Sequence, residues 1–120
     1  MKNILFADPN RDLLKCYEVL LRSRGFDVAT VFDGTQVIEK LAANRFDLAL
    51  LSDTLPRIGA DKLVMLLHEK QIPVLLLANN ASQAHGADAV LPFPFVPNEL
   101  YSAVSRLIPP ETEQEAGESA

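Results

Sequence analysis

The sequence predicts an α/β domain built on a doubly wound sheet of five parallel strands, and three observations carry the prediction. Short runs rich in Val, Leu and Ile alternate with stretches whose apolar residues recur at helical spacing. One of the runs, Ile72 to Ala78, is apolar on both faces, as a central strand covered by helices on both sides is. Gly25, Gly34, Gly59 and Pro97 punctuate the junctions. Strands alternating with helices imply right-handed crossovers, which leave the strands parallel.

Each element follows in order. Ile4-Leu5-Phe6-Ala7, ending at Asp8, reads as a buried strand that delivers an acidic group to its carboxyl end. Leu13, Tyr17, Leu20 and Leu21 mark the first helix, and Gly25 closes it as a C-terminal glycine does. Phe26 to Val31 is the second strand and Asp33-Gly34 a turn, with Val37, Ile38, Leu41 and Ala42 as the apolar face of the second helix. Asp47 to Leu51 forms the third strand; a loop with Pro56 and Gly59 leads to a third helix carrying Leu63, Leu66 and Leu67. Ile72 to Ala78 is a central strand and Ala89 to Leu91 the fifth. The last helix starts near Pro97, presents Leu100, Val104, Leu107 and Ile108 to the core, and is stopped by Pro109-Pro110. The segments divide the chain into a folded domain over 1–108 and an acidic, disordered C-terminal tail over 109–120, which from Glu111 on has no apolar residue larger than alanine.

Composition narrows the function classes. A chain of 120 residues, nearly half apolar, supports one core. No apolar run approaches the roughly 20 residues that span a bilayer, and no hydrophobic leader follows Met1, so neither a membrane anchor nor secretion is expected. The single Cys16 has no internal partner for a disulfide, and the expected compartment is the cytoplasm. The formal charge is −5, of which Glu111, Glu113, Glu115 and Glu118 supply four, leaving the body at −1. Its basic residues are scattered and form no stripe, so no direct contact with nucleic acid is expected.

Binding sites in doubly wound sheets lie beyond the carboxyl ends of the strands. The residues at those ends are Asp8, Ser52, Asp53, Ala78 and Phe93. A serine hydrolase would need a nucleophile elbow and a positioned base, which Leu51-Ser52-Asp53 lacks. No glycine-rich loop follows the first strand, which argues against a nucleotide or flavin site. His68 and His85 have no metal-ligand companion at useful spacing. Tyr17 and Tyr101 read as amphipathic residues at the core edge, and Asp12 as a solvated first-turn residue suited to the helix dipole.

Ile4 to Asp8, Gly25-Phe26-Asp27-Val28, Asp33-Gly34, Asp47 to Leu51, Leu55-Pro56, Pro73 to Leu77 and Gly86-Ala87-Asp88 together resemble the response-regulator receiver (CheY-like) family, from about Asn3 to Ile108. The resemblance implies a flavodoxin-like (βα)5 fold. It also implies a site in which two acids after the first strand and an aspartate after the third hold Mg²⁺. That aspartate accepts a phosphoryl group, which a threonine or serine after the fourth strand and a lysine after the fifth then contact. The chemistry suits those residues, since a hard cation wants several carboxylate oxygens and transferred phosphoryl charge wants a cation and donors near it.

This sequence departs from that pattern at four positions. The family's spacing from Pro56 puts the acceptor at Ser52, a neutral and weak nucleophile. The second acid falls on Pro9, the threonine on Ala78 and, read from Pro94-Phe95, the lysine on Phe93. Only Asp8 of the metal set remains, so no metal or other cofactor is expected. Loss of an aspartate together with a lysine is less damaging than loss of either, because an unpaired buried charge costs about 3 to 5 kcal/mol. If the family's backbone carries over, the Phe93-Pro94 peptide is cis. A strand slip would make Asp53 the acceptor but would also turn the strand's side chains to the wrong faces. Asp8 followed by Pro9 also fits a cap on the first helix.

Only seven residues, Asn79 to His85, separate Ala78 from Gly86, where the family fits a whole helix. Their polarity predicts a loop or single turn, so the fourth helix is expected to be shortened or absent, uncovering part of the sheet or the corner around Phe93. Leu91, Phe93 and Phe95 are the candidate interface. The expected function is therefore that of a phosphorylation-independent signalling receiver, not an enzyme, with no output domain of its own. Its expected partner is a protein of a signalling pathway or a second copy. The alternatives are a residual acceptor switch using Asp53 and a small-molecule sensor using the altered pocket.

Overall fold

The computed structural model describes residues 2–79 and 84–108. The elements run β1 (Asn3–Ala7), α1 (Arg11–Ser23), β2 (Asp27–Val31), α2 (Gly34–Ala43), β3 (Leu48–Ser52), α3 (Ala60–Glu69), β4 (Val74–Ala78), β5 (Ala89–Pro92) and α4 (Pro97–Leu107). All five strands are parallel, in the order β2-β1-β3-β4-β5. The flavodoxin-like class holds, with four helices among the described residues. No helix among them is long and apolar enough to cross a membrane.

Alternation along the strands sorts the core into two layers. Leu5, Ala49, Leu51, Val74 and Leu76 pack with Val37 and Leu41 of α2 and Leu63, Val64 and Leu67 of α3. Ile4, Phe6, Leu48, Leu50, Leu75 and Leu77 pack on the other face with Leu14 and Leu21 of α1 and Leu100 and Val104 of α4. β1, β3 and β4 are flanked on both sides, which is why their sequences lack a polar face.

The helix boundaries follow local chemistry. Asn10 caps α1, its side chain accepting from the N–H groups of Asp12 and Leu13, and Gly25 past the C-terminus has φ +93°. Asp8 is therefore not the cap, and Pro9 lies outside the helix; Asp8 stays on the sheet because its N–H donates to Val31 O at 3.1 Å. The buried stripe of α2 is narrower than its sequence suggests. Val37 and Leu41 are inside, whereas Ile38 is 41% exposed and Ala42 is exposed. Shortening the chain after β4 does not uncover β4, whose five residues are all buried. The turn at Gly86 closes toward α3, where a Cβ added to that glycine would lie 3.7 Å from Val64 Cγ1. At the foot of the same turn, Asp88 Oδ2 accepts from Val74 N at 2.7 Å and meets His68 Nε2 at 2.8 Å, tying α3 to the β4–β5 pair. Burial works against ionised Asp88, but His68 and the Val74 N–H outweigh it and hold the carboxyl below its ordinary range. Most of the segment expected to lack a helix, and the whole acidic tail with Pro109-Pro110, lie outside the described residues.

Gly34 opens α2 against the loop after β3: its N–H donates to Pro56 O at 3.1 Å, and a Cβ there would lie 2.7 Å from Ile58 Cβ. Gly34→Ala is expected to lower stability by about 1 to 3 kcal/mol through overpacking, seen as a lower urea midpoint at unchanged slope.

Candidate functional site

The carboxyl ends of β1, β3, β4 and β5 converge on one edge of the sheet. Asp8 follows β1, Ser52 ends β3, Ala78 ends β4 opposite Pro92, and Phe93 follows β5 with its N–H donated to Ala78 O at 2.9 Å. The sequence thus identified residues that share one edge, although they come from four separate segments.

Ser52 is 1% exposed. Its hydroxyl lies 2.8 Å from Thr54 Oγ1 and accepts the Thr54 N–H at 3.1 Å, a local turn that satisfies a buried polar group. Leu48 and Leu50 precede it in the α1/α4 layer, and β3 pairs in parallel with both β1 and β4. Asp53 is half-buried, with its N–H on Leu77 O at 3.0 Å. Its Oδ1 is shielded from solvent and has no hydrogen-bond partner among the described residues.

Asp8 is 3% exposed, and its Oδ1 accepts the Asn10 N–H at 2.8 Å. Burial pushes its carboxyl above the ordinary range; the Asn10 N–H pulls the other way, and the charge of Asp53 adds to the rise. A folded-state pKa above the unfolded one means that this group favours folding at low pH and that the benefit is lost as pH rises through the folded value. Asp8→Asn keeps an acceptor for Asn10 and removes the charge. It is expected to raise stability at pH 7, with the gain shrinking as pH falls through the carboxylate range, measured by urea denaturation at several pH values.

A Mg²⁺ ion needs near-octahedral oxygen ligands. Among the described residues no three His, Cys, Asp or Glu side chains converge. Pro9 has no ligand atom, Ser52 brings no charge, and one Asp8 oxygen is already engaged. These residues do not fit the metal.

The aromatic corner is packed inward. Phe93 and Phe95 are half-buried with ring centroids 5.0 Å apart, Phe95 lies 5.3 Å from Tyr17 of α1, and the Phe93-Pro94 peptide is cis. Leu91 is 8% exposed and belongs to the core, which narrows the candidate interface to Phe93 and Phe95. Sequence reasoning passed over Thr54, Asn10 and the stacking of Arg11 on Phe32, 4.1 Å from guanidinium carbon to ring centroid. Asn10 carried a usable signal as an asparagine just before a helical pattern; the other two depend on contacts the sequence does not show.

The family described as "Response regulator receiver domain" matches residues 4–105. Among curated proteins, the chain is 32% identical over 111 residues to "DNA-binding response regulator MtrA" of Mycobacterium tuberculosis (strain ATCC 25618 / H37Rv), covering 86% of this chain and 49% of that protein. It is 32% identical over 114 residues to "Transcriptional regulatory protein PrrA" of the same strain, covering 88% and 49%. The chain thus spans about half the length of these curated relatives. Among solved structures, the chemotaxis response regulator CheY4 of Vibrio cholerae superposes with a TM-score of 0.83 at 24% identity, covering 90% of this chain and 99% of that one. TrrA of Thermotoga maritima, solved in complex with Mg(2+)-BeF, superposes with a TM-score of 0.81 at 23% identity, covering 90% and 100%. The parallel five-stranded sheet, the convergence of its carboxyl ends and the match over residues 4–105 agree: the chain belongs to the response-regulator receiver domain family.

Proposed function

We propose that this receiver signals without aspartyl phosphorylation, as a module of protein–protein interaction or self-association in the cytoplasm. The observation that carries the reading is Ser52, buried at the end of β3 with its hydroxyl engaged by Thr54. Among the described residues, Ser52 offers no carboxylate nucleophile there and no cation stands beside it to balance phosphoryl charge, and on this reading Phe93 takes the place of a cationic side chain after β5. The relatives' names describe DNA binding and transcriptional regulation. This chain spans the receiver-like half of such proteins and supports a role in controlling or recruiting partners, through Phe93 and Phe95, not in touching DNA itself.

A second reading keeps Asp53 as a residual acceptor, favoured by its shielded, unpartnered Oδ1 and by the charge it exerts on Asp8. Titration of the labelled protein with Mg²⁺ and beryllofluoride separates the two. The proposed function expects amide resonances of Asp8, Ser52 and Asp53 to stay in place; saturable shifts requiring both additives would establish the acceptor switch instead.

A further inference from the structure

The helices run against the strands, so the ends of α2 and α3 lie at the amino edge of the sheet, opposite the candidate site. Two clefts open there and share Asn44, Arg45 and Phe46. One, of about 410 Å³, also takes in Lys40; the other, of about 380 Å³, takes in Lys70 and Gln71. Lys40, Arg45 and Lys70 are exposed, and none has a carboxylate within ion-pair distance among the described residues. Asp27, which also lines the first cleft, pairs with Arg22 at 3.3 Å, and Asp47 accepts the Asn3 N–H at 2.7 Å. Lys40 and Lys70 also complement the negative ends of α2 and α3, but Arg45 lies past the α2 cap and lines both clefts.

α4 ends at this same edge, its cap Ile108 buried in the α1/α4 layer. From there residues 109–120 continue with four glutamates and no lysine or arginine. Glu111, Glu113 and Glu115 alternate, so in an extended chain they project to one side. Passing beneath the sheet to Arg45 takes about 15 to 20 Å at roughly 5 Å per strand, and an extended chain from Ile108 reaches about 17 Å at Glu113, about 24 Å at Glu115 and about 35 Å at Glu118. We propose that the glutamates of segment 109–120 dock in cis against Lys40, Arg45 and Lys70, and that Phe46 contacts the docked chain.

The test compares amide spectra of the labelled full chain with those of a variant carrying Gln in place of Glu111, Glu113, Glu115 and Glu118. At about 0.01 M salt, where charges act over about 30 Å, differences are expected to cluster at Asn44, Arg45, Phe46, Lys70 and Gln71. They should fall at least about fivefold at about 1 M salt, where that range is about 3 Å. Arg45→Glu, with folding confirmed by circular dichroism, should remove most of the differences at low salt. Differences that are absent, that map to the carboxyl edge, or that grow with protein concentration and so come from a second copy would each overturn the proposal.

Discussion

Ser52→Asp is expected to leave the protein unphosphorylated by acetyl phosphate and to destabilise it. The new carboxyl would replace a 1% exposed hydroxyl, break its pairing with Thr54, and stand near the buried Asp8 and the half-buried Asp53 with no cation among the described residues to balance it. An uncompensated buried charge costs about 3 to 5 kcal/mol. Because burial and like charge raise a carboxyl's folded-state pKa, the sign is fixed: the loss should be small near pH 4 and grow as pH rises toward 8. Urea midpoints across that range measure the stability, and intact-mass spectrometry after acetyl phosphate treatment measures the chemistry. Acquisition of a phosphoryl group by this single variant would refute the proposed function, in which Pro9 and Phe93 still withhold the metal's second carboxylate and the cation.

Phe93→Asp bears on the other half of the proposed function. Phe93 is half-buried and rests on Phe95, so the exposed part of its ring is held by packing and loses little entropy when covered. If self-association uses this corner, the aspartate should weaken it by about 2 kcal/mol or more, roughly 30-fold in Kd, with the circular dichroism spectrum retained. Sedimentation equilibrium on both proteins supplies the comparison. An unchanged Kd would move the contact elsewhere; a wild-type chain that stays monomeric would leave protein–protein capture by a different partner as the only form of the reading to survive.

The clearest sequence signals were those in which one segment alone reports its environment. The apolar run Ile72 to Ala78 favours a strand covered on both faces, and Val74–Ala78 is wholly buried. Pro97 at the start of α4 and Gly25 after α1 act through local backbone preferences, and both stand where those preferences put them. Less was legible at Asp8, which reads equally as a helix cap or an edge residue. The choice fell to Asn10 because the β1 ladder extends through the Asp8 N–H to Val31 O and delays the helix by two residues. Ile38 misled for a related reason: helical spacing gives a face, but the width of the buried stripe depends on how close the sheet and neighbouring helix approach.

The identities of Pro9, Ser52, Ala78 and Phe93 are readable before any coordinates; that they are departures from the family's phosphorylation site belongs to the proposed function. Whether those residues meet depends on parallel pairing, which brings four strand ends from distant segments to one edge. Three-dimensional packing also turned Leu91 into the core while leaving Phe93 and Phe95 at its margin, and kept β4 covered. The division has one physical origin. Local preferences and side-chain chemistry belong to single residues or short segments, whereas burial and charge coupling such as that between Asp8 and Asp53 exist only between segments that folding brings together.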